Sequence, residues 1–346
     1  MLDILITLVT GEELGLADWQ AMELGAIADE SRSRAFGITP ANVSTIIKRR
    51  SHLFRSVYPE VQRLCPQIPE NLLLSTLWNL WLPLGMQLGT ARQQGDRPLV
   101  QGILGGQGTG KTTLGAVLKL ILQQLGYNSL SLSIDDLYLT YAERQQLKQQ
   151  DPRLVWRGPP GTHDVKLGMA VLHQLRDAKG RVEIPRFDKS AWGGKGDRTA
   201  PEVVRDIDIV LFEGWFVGVR PLDPIIFDSP PSPIITAGDL QFARDMNERL
   251  LEYLPLWEYL DRLLVLYPTD YRLSKEWRQQ AEREVIAAGK SGMTDGMIDE
   301  FVQYFWRSLH PELFVKLLIS NPELVDLVVE INPDRSPGAV YQPGDF

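Results

Sequence analysis

The sequence predicts an α/β fold: a doubly wound, mainly parallel sheet with helices on both faces, preceded by an α-helical N-terminal region. Three observations predict it. From residue 99 onward, short apolar runs alternate with helical stretches, the pattern of strands that are covered on both faces. The first of these runs ends in a glycine-rich turn that opens directly into a helical pattern. Ahead of it, residues 13 to 92 read as helical, with no strand-like run among them.

A chain of 346 residues fits two domains, or one large α/β domain with an extension. The division is expected at Gln94-Gly95-Asp96-Arg97-Pro98, which has turn chemistry. It separates a helical region, 1–96, from an α/β domain, 97–346. A hydrophobic fraction of 44% is enough for a sizeable core, and 23% charged residues is ordinary for a water-soluble protein. The formal net charge of −8 argues against a nucleic-acid partner, which needs a basic surface. The single cysteine, Cys65, excludes an intrachain disulfide and reads as a buried thiol in a reducing compartment. The opening MLDILITLVTGEE has Asp3 and no basic segment, so it is a poor signal or transit peptide. The longest apolar stretch, Leu72 to Leu88, is interrupted by Asn79, Pro83 and Gln87, so it reads as core helix rather than membrane span. The expectation is a cytoplasmic protein without a membrane partner; oligomeric state leaves no mark in the sequence.

In chain order, Thr39-Pro40 offers an N-cap hydroxyl followed by a proline at the first helical position. Strands are expected at Leu99–Leu104, Ser129–Ile134, Val182–Ile184, Ile207–Phe212, Leu263–Tyr267 and Leu324–Ile331. A helix is expected from Lys111 to about Gln124, and another after the loop RGPPGTHD, Arg157 to Asp164.

The turn after the first strand is GGQGTGKT, Gly105 to Thr112, which satisfies G-x-x-x-x-G-K-[ST] in the strand–loop–helix setting that the motif requires. This predicts a P-loop NTPase fold. Gly105, Gly106, Gln107, Gly108, Thr109, Gly110, Lys111, Thr112 and Thr113 are then the nucleotide-binding residues. Their backbone N–H groups and the helix N-terminus cradle phosphates; Lys111 reaches the β- and γ-phosphates, and the Thr112 hydroxyl ligates Mg²⁺. Two other strand ends carry acids: Asp135-Asp136, and Glu213 after the run IVLF. Ligands in open parallel sheets bind at the carboxyl ends of strands. Glu213 is therefore expected to organise Mg²⁺, and Asp135 or Asp136 to face an acceptor hydroxyl. No N-K-x-D guanine motif and no ABC-type signature segment occurs, so phosphoryl transfer from ATP to an alcohol is the expected chemistry.

The acceptor side is expected in two loops rich in Gly and Pro. They hold Arg157, His163, Asp164, Arg186, Asp188, Lys189, Lys195 and Arg198, cations for a carboxylate and carboxylates for hydroxyls. Arg278, on the amphipathic stretch Tyr271 to Ala288, is a candidate lid arginine. The nine tryptophans are scattered like core residues.

With these segments together the chain resembles the plant-type D-glycerate 3-kinases, in the phosphoribulokinase, uridine kinase and pantothenate kinase group. The resemblance is carried by GGQGTGKTT, SIDDLYLT, RGPPGTHD, PRFDKSAWGGKGDR, VLFEGW, EWRQQAE and GKSGMTD, over roughly residues 99 to 335. It implies phosphorylation of the C3 hydroxyl of D-glycerate by ATP with Mg²⁺, giving 3-phosphoglycerate and ADP. It also implies Asp135 as the base, Asp136 in a serine slot, Tyr138 lining the acceptor pocket, and Asp164 holding substrate hydroxyls. Two positions depart from the pattern: Leu137 where an aromatic is usual, and Lys195 where arginine is common. The rival expectations are the same fold acting on a nucleoside, pantothenate or a sugar phosphate, and a non-catalytic nucleotide-binding module.

Overall fold

The computed structural model describes residues 1–177, 180–287 and 292–344. Its N-terminal third is helical: α1 (Leu2–Thr10), α2 (Leu16–Ala28), α3 (Glu30–Ala35), α4 (Val43–Leu64), α5 (Glu70–Thr76) and α6 (Leu82–Gln94). Helix α4 buries Ile47, Phe54, Val57 and Val61 along one stripe, the spacing of an amphipathic helix. It starts later than Thr39-Pro40 suggests. Asn42 precedes its first turn, and the Asn42 side chain instead accepts from the Thr39 N–H at 2.8 Å, closing a turn ahead of the helix. The apolar stretch from Leu72 forms core helix as expected, but Leu77–Trp81 is wound as a π-helix between α5 and α6. Cys65 is buried. Among the described residues no helix is long and apolar enough to cross a membrane.

The sheet has the order β2-β5-β1-β6-β7-β8, from β1 (Leu99–Gly105), β2 (Ser129–Ser133), β5 (Ile209–Gly214), β6 (Arg262–Pro268), β7 (Leu327–Ile331) and β8 (Pro337–Tyr341). All neighbours are parallel except the edge pair β7–β8. The pleat sorts its side chains. Leu99, Ile103, Ile209, Leu211, Leu264 and Leu266 face one core, which they share with α7 (Lys111–Gln124) and the N-terminal helices. Val100, Leu104, Val210, Phe212, Leu263 and Val265 face the other, the period-two alternation of a strand buried on both sides. Contact between α6 and α7 is close enough that a Cβ at Gly85 would lie 2.5 Å from Ile121 Cγ2. The N-terminal helices are therefore built into the layer beside the phosphate loop.

Two features of the sheets depart from the sequence expectation. The run at Val182 is the start of a long strand, β3 (Arg181–Asp188), which pairs antiparallel with β4 (Asp197–Arg205) in a separate two-stranded sheet. Its pattern is masked by charged residues on the open face and by Pro185, which sits where the register slips between Ile184 and Arg186, the place a strand tolerates proline. The antiparallel edge strand β8 is the second. It carries Pro337 and Gly338, residues that β-propensity disfavours, and it follows a tight turn at Asp334–Arg335.

Candidate active site

The parallel register sets the site. Ser133 at the end of β2 pairs with Glu213 of β5, which in turn pairs with Ile103 of β1. Three strand ends therefore finish at one level, and the phosphate loop, Glu213 and the turn bearing Asp135 stand side by side.

The loop itself is shaped by glycine. Gly108 and Gly110 have φ of 79° and 86°, conformations that cost other residues roughly 1–2 kcal/mol. At Gly108 a Cβ would also lie 2.6 Å from Trp277 Cβ. The Thr109 hydroxyl donates to the Gly106 carbonyl at 2.9 Å. Lys111 is drawn back into the loop, its ammonium donating to the Gly105 and Gly106 carbonyls at 2.7 and 2.8 Å. Burial lowers its pKa, and the carboxylates of Glu213 and Asp135 oppose that shift. A buried ammonium held only by carbonyl dipoles in a glycine concavity matches the donor set a polyphosphate requires. Thr112 follows at the start of α7, facing the same cleft as Thr113.

Asp135 lies in a short 3₁₀ turn, Ile134–Leu137. Its carboxylate accepts from the Lys189 ammonium at 2.6 Å and from the Tyr138 hydroxyl at 2.8 Å. Burial alone would raise its pKa, but the Lys189 charge and these two hydrogen bonds outweigh it, and the group is held below the ordinary carboxylate value. Asp136 is engaged differently. Its Oδ2 accepts from the Ser133 N–H at 3.0 Å, capping the turn, and from Arg186 at 2.7 Å. Arg186 also binds Glu202 on β4 and the Ser131 carbonyl. One aspartate thus holds the turn while the carboxylate of its neighbour is tied to Lys189 and Tyr138.

Tyr138 is a hub. Its ring stacks on His163 at 4.6 Å and meets Phe187 edge-on at 5.0 Å, with the Arg157 guanidinium 5.8 Å over its face. His163 is buried, with Nδ1 2.8 Å from the Tyr253 hydroxyl. Burial lowers its pKa to about 3, so it is neutral at pH 7. Asp164 accepts from the Leu167 N–H, capping the helix Val165–Asp177, and from Arg198 at 2.9 Å. Arg198 also donates to the Tyr138 carbonyl at 3.0 Å. Arg157 donates to the Gly194 and Lys195 carbonyls. Asp188 is exposed, and its carboxylate caps Ser190 through the N–H and hydroxyl. Arg278 lines the cleft beside the phosphate loop, paired with Glu282 at 2.6 Å. Of the segment GKSGMTD, Gly289, Lys290 and Ser291 lie outside the described residues, as does Ala288 at the end of the amphipathic stretch.

The hairpin β3–β4 explains why residues so far apart in sequence meet: it carries Arg186, Lys189 and Arg198 over the strand ends. Sequence reasoning missed several supports. Arg144 donates to the Lys195 and Gly196 carbonyls and lies 5.2 Å over Phe187. Asp197 accepts from the Tyr141 N–H and the Trp192 indole. Tyr253 fixes His163 and the Gly161 N–H. Arg144 and Tyr253 sit in ordinary helical sequence with no motif to flag them, whereas Asp197 lies within the GGKGDR segment and was legible there.

No family model matches the chain. It is 33% identical over 255 residues to the chloroplastic D-glycerate 3-kinase of Arabidopsis thaliana, covering 69% of this chain and 54% of that protein. It is 33% identical over 218 residues to the uncharacterized kinase mug58 of Schizosaccharomyces pombe, covering 60% of this chain and 79% of that one. The chain thus spans about half the length of the plant relative and most of the yeast one. Among solved structures, D-glycerate 3-kinase from Cryptococcus neoformans superimposes with a TM-score of 0.67 at 26% identity, over 75% of this chain and 97% of that chain. A phosphate loop at the end of a mainly parallel sheet, with acids on two neighbouring strand ends, joins these likenesses to one conclusion: the chain belongs to the family of P-loop kinases that contains the plant D-glycerate 3-kinase.

Proposed function

We propose that the protein is an ATP-dependent kinase that phosphorylates the C3 hydroxyl of D-glycerate, giving 3-phosphoglycerate and ADP. The observation that carries this reading is Asp135: an ionised carboxylate tied to Lys189 and Tyr138, beside the buried Lys111 and Glu213. Phosphoryl transfer passes through a loose transition state, so the protein's work is positioning and charge balance. The phosphate loop and Lys111 hold the triphosphate. Thr112 and Glu213 are the residues that would hold Mg²⁺, which when bound neutralises charge on the phosphates. Asp135 orients the acceptor hydroxyl and takes its proton late; its low pKa keeps it ionised for that role. Arg157 has no ion-pair partner among the described residues and donates only to carbonyls. It is the cation assigned to the glycerate carboxylate. Asp164 and Arg198 frame the hydroxyl end, and Arg278 is the lid cation.

The test is ADP release measured against a panel of hydroxy acids, nucleosides, pantothenate and sugar phosphates. Strong stimulation by D-glycerate is the expected result. Stimulation by a nucleoside, pantothenate or a sugar phosphate instead would reassign the acceptor. ATP binding without turnover on any acceptor would point to a nucleotide-binding module.

A further inference from the structure

The phosphate loop reads phosphates and carries no information about a base. Its surroundings do. A cleft of about 500 Å³, open to solvent, runs along the loop on the side away from the catalytic acids, within the roughly 300–1,000 Å³ of an ordinary small-molecule pocket. The strand order fixes this sidedness. Asp135 follows β2 and Glu213 is near the end of β5, on one flank of β1; Leu266, Ile331 and Arg335 belong to β6, β7 and the β7–β8 turn, on the other. A triphosphate whose terminal phosphate lies beside Lys111, Glu213 and Asp135 therefore directs its nucleoside across β1 into this cleft.

The far wall of the cleft is made by the N-terminal region. Ile68, Leu72 and Trp81 line it, with Ile68 and Leu72 only half-buried. Trp277 and Arg335 line the same cleft. We propose that the N-terminal helical region forms the base-side wall of the nucleotide site, seating the adenine of ATP between Ile68, Leu72 and Trp81 on one face and the Arg335 guanidinium on the other. This rests on the kinase reading above.

Two features favour it. The wall carries a π-helical turn, Leu77–Trp81, whose Leu80 and Trp81 line the cleft, and single π turns inside helices recur at functional sites. That turn is tied down by the buried Arg50, which lies 5.2 Å over the Trp78 ring and donates to the Trp78 carbonyl at 3.5 Å. Opposite, Arg335 is held at φ 65°, a left-handed conformation uncommon outside glycine. Its guanidinium stands 5.8 Å from the Trp277 ring, and Trp277 in turn packs on Gly108 of the phosphate loop. Apolar side chains on one face and a flat delocalised cation on the other make a slot for a planar heteroaromatic ring.

The experiment compares two ligands on the full chain by calorimetry, both with Mg²⁺: ATP, and inorganic tripolyphosphate, which has the phosphates but no base. Arg335→Ala, on an exposed turn, and Leu72→Trp, which fills the slot, are each expected to weaken ATP roughly 10- to 100-fold, the scale of one lost base-stacking partner. Tripolyphosphate affinity is expected to stay within about twofold, since its site is the phosphate loop. Circular dichroism checks folding, and Ile68→Ala, at a half-buried wall position, takes the place of Leu72→Trp if that variant fails to fold. Equal weakening of both ligands, or no change in either, overturns the inference while leaving the kinase reading intact. A wild-type chain that binds neither ligand overturns both.

Discussion

Replacing Asp135 by Asn tests the chemistry most directly, because the change is isosteric and its consequences are written in the hydrogen bonds. Asn keeps an oxygen for the Tyr138 hydroxyl, now 2.8 Å from Asp135 Oδ1, so the turn is expected to stay in place. It cannot take a proton, and it leaves the Lys189 ammonium, now 2.6 Å from the carboxylate, without a counter-charge. A positioned general base is worth about 10²–10⁴ in rate, or about 3–5 kcal/mol of barrier. The expected result is a loss of that size in kcat by coupled ADP release. ATP affinity by calorimetry should change by no more than about threefold, since the phosphate loop is built on β1 and α7. The control is Asp136→Ala. It removes the cap on the Ser133 N–H and the pair with Arg186, a stability cost of about 1–2 kcal/mol, with kcat kept within about tenfold. If Asp136→Ala abolishes turnover in a folded protein while Asp135→Asn is spared, the assignment of the base is wrong.

Gly108→Ala combines a left-handed backbone with a Cβ forced on Trp277; we expect about 1–3 kcal/mol of lost stability and severe loss of ATP binding, read by thermal melts with and without nucleotide. Lys111→Met removes a buried ammonium that has no hydrogen-bonded carboxylate, so the nucleotide-free melting temperature should hold or rise, while the rise on adding ATP disappears. Buried His163, with its pKa lowered to about 3, is protonated more readily in the unfolded chain, so its contribution is complete above about pH 6.5 and is lost as pH falls toward 3. Between pH 7.5 and pH 5 that amounts to about 2 kcal/mol, and urea unfolding of His163→Gln should show a pH dependence shallower by that amount. Some dependence of the same sign should persist from His310, whose pKa burial also lowers. Lys189→Met leaves burial of Asp135 unopposed by its nearest cation; the acid limb of kcat/KM should then move to higher pH, and a fall in kcat with that limb unmoved would deny Lys189 its electrostatic role.

How much of this was legible follows from how local each signal is. The parallel strands were readable because both faces are buried, so IVLF or LVQGIL stand out as apolar runs without any knowledge of their neighbours. Glu213 and Asp135 were readable because they sit immediately after such runs. The phosphate loop was readable because its glycines are demanded by backbone geometry within a few residues. The hairpin β3–β4 was not, since its open face is charged and its register breaks at Pro185; the residues it carries were expected in the site, but as loop residues.

The base-side wall was the least legible part, and the reason is physical rather than statistical. Leu72 and Trp81 belong to a stretch that is apolar almost throughout, so the few side chains that face the cleft look the same in sequence as those that face the core. What brings Trp81 to the cleft is the winding of one turn, and a π-helical turn has no reliable sequence signature. Trp78 packs inward against Phe54 while Trp81, three residues on, lines the cleft. Composition cannot separate two tryptophans so close together; only the path of the backbone does. The same logic explains why the N-terminal helices cannot be treated as an appendage: they share a core with α7 and β1, so a shift in their packing moves one wall of the cleft relative to the loop at its floor. Nucleotide affinity and the packing of the N-terminal helices are thereby coupled, and a cavity made under α4, at Phe54 for example, should weaken ATP more than tripolyphosphate.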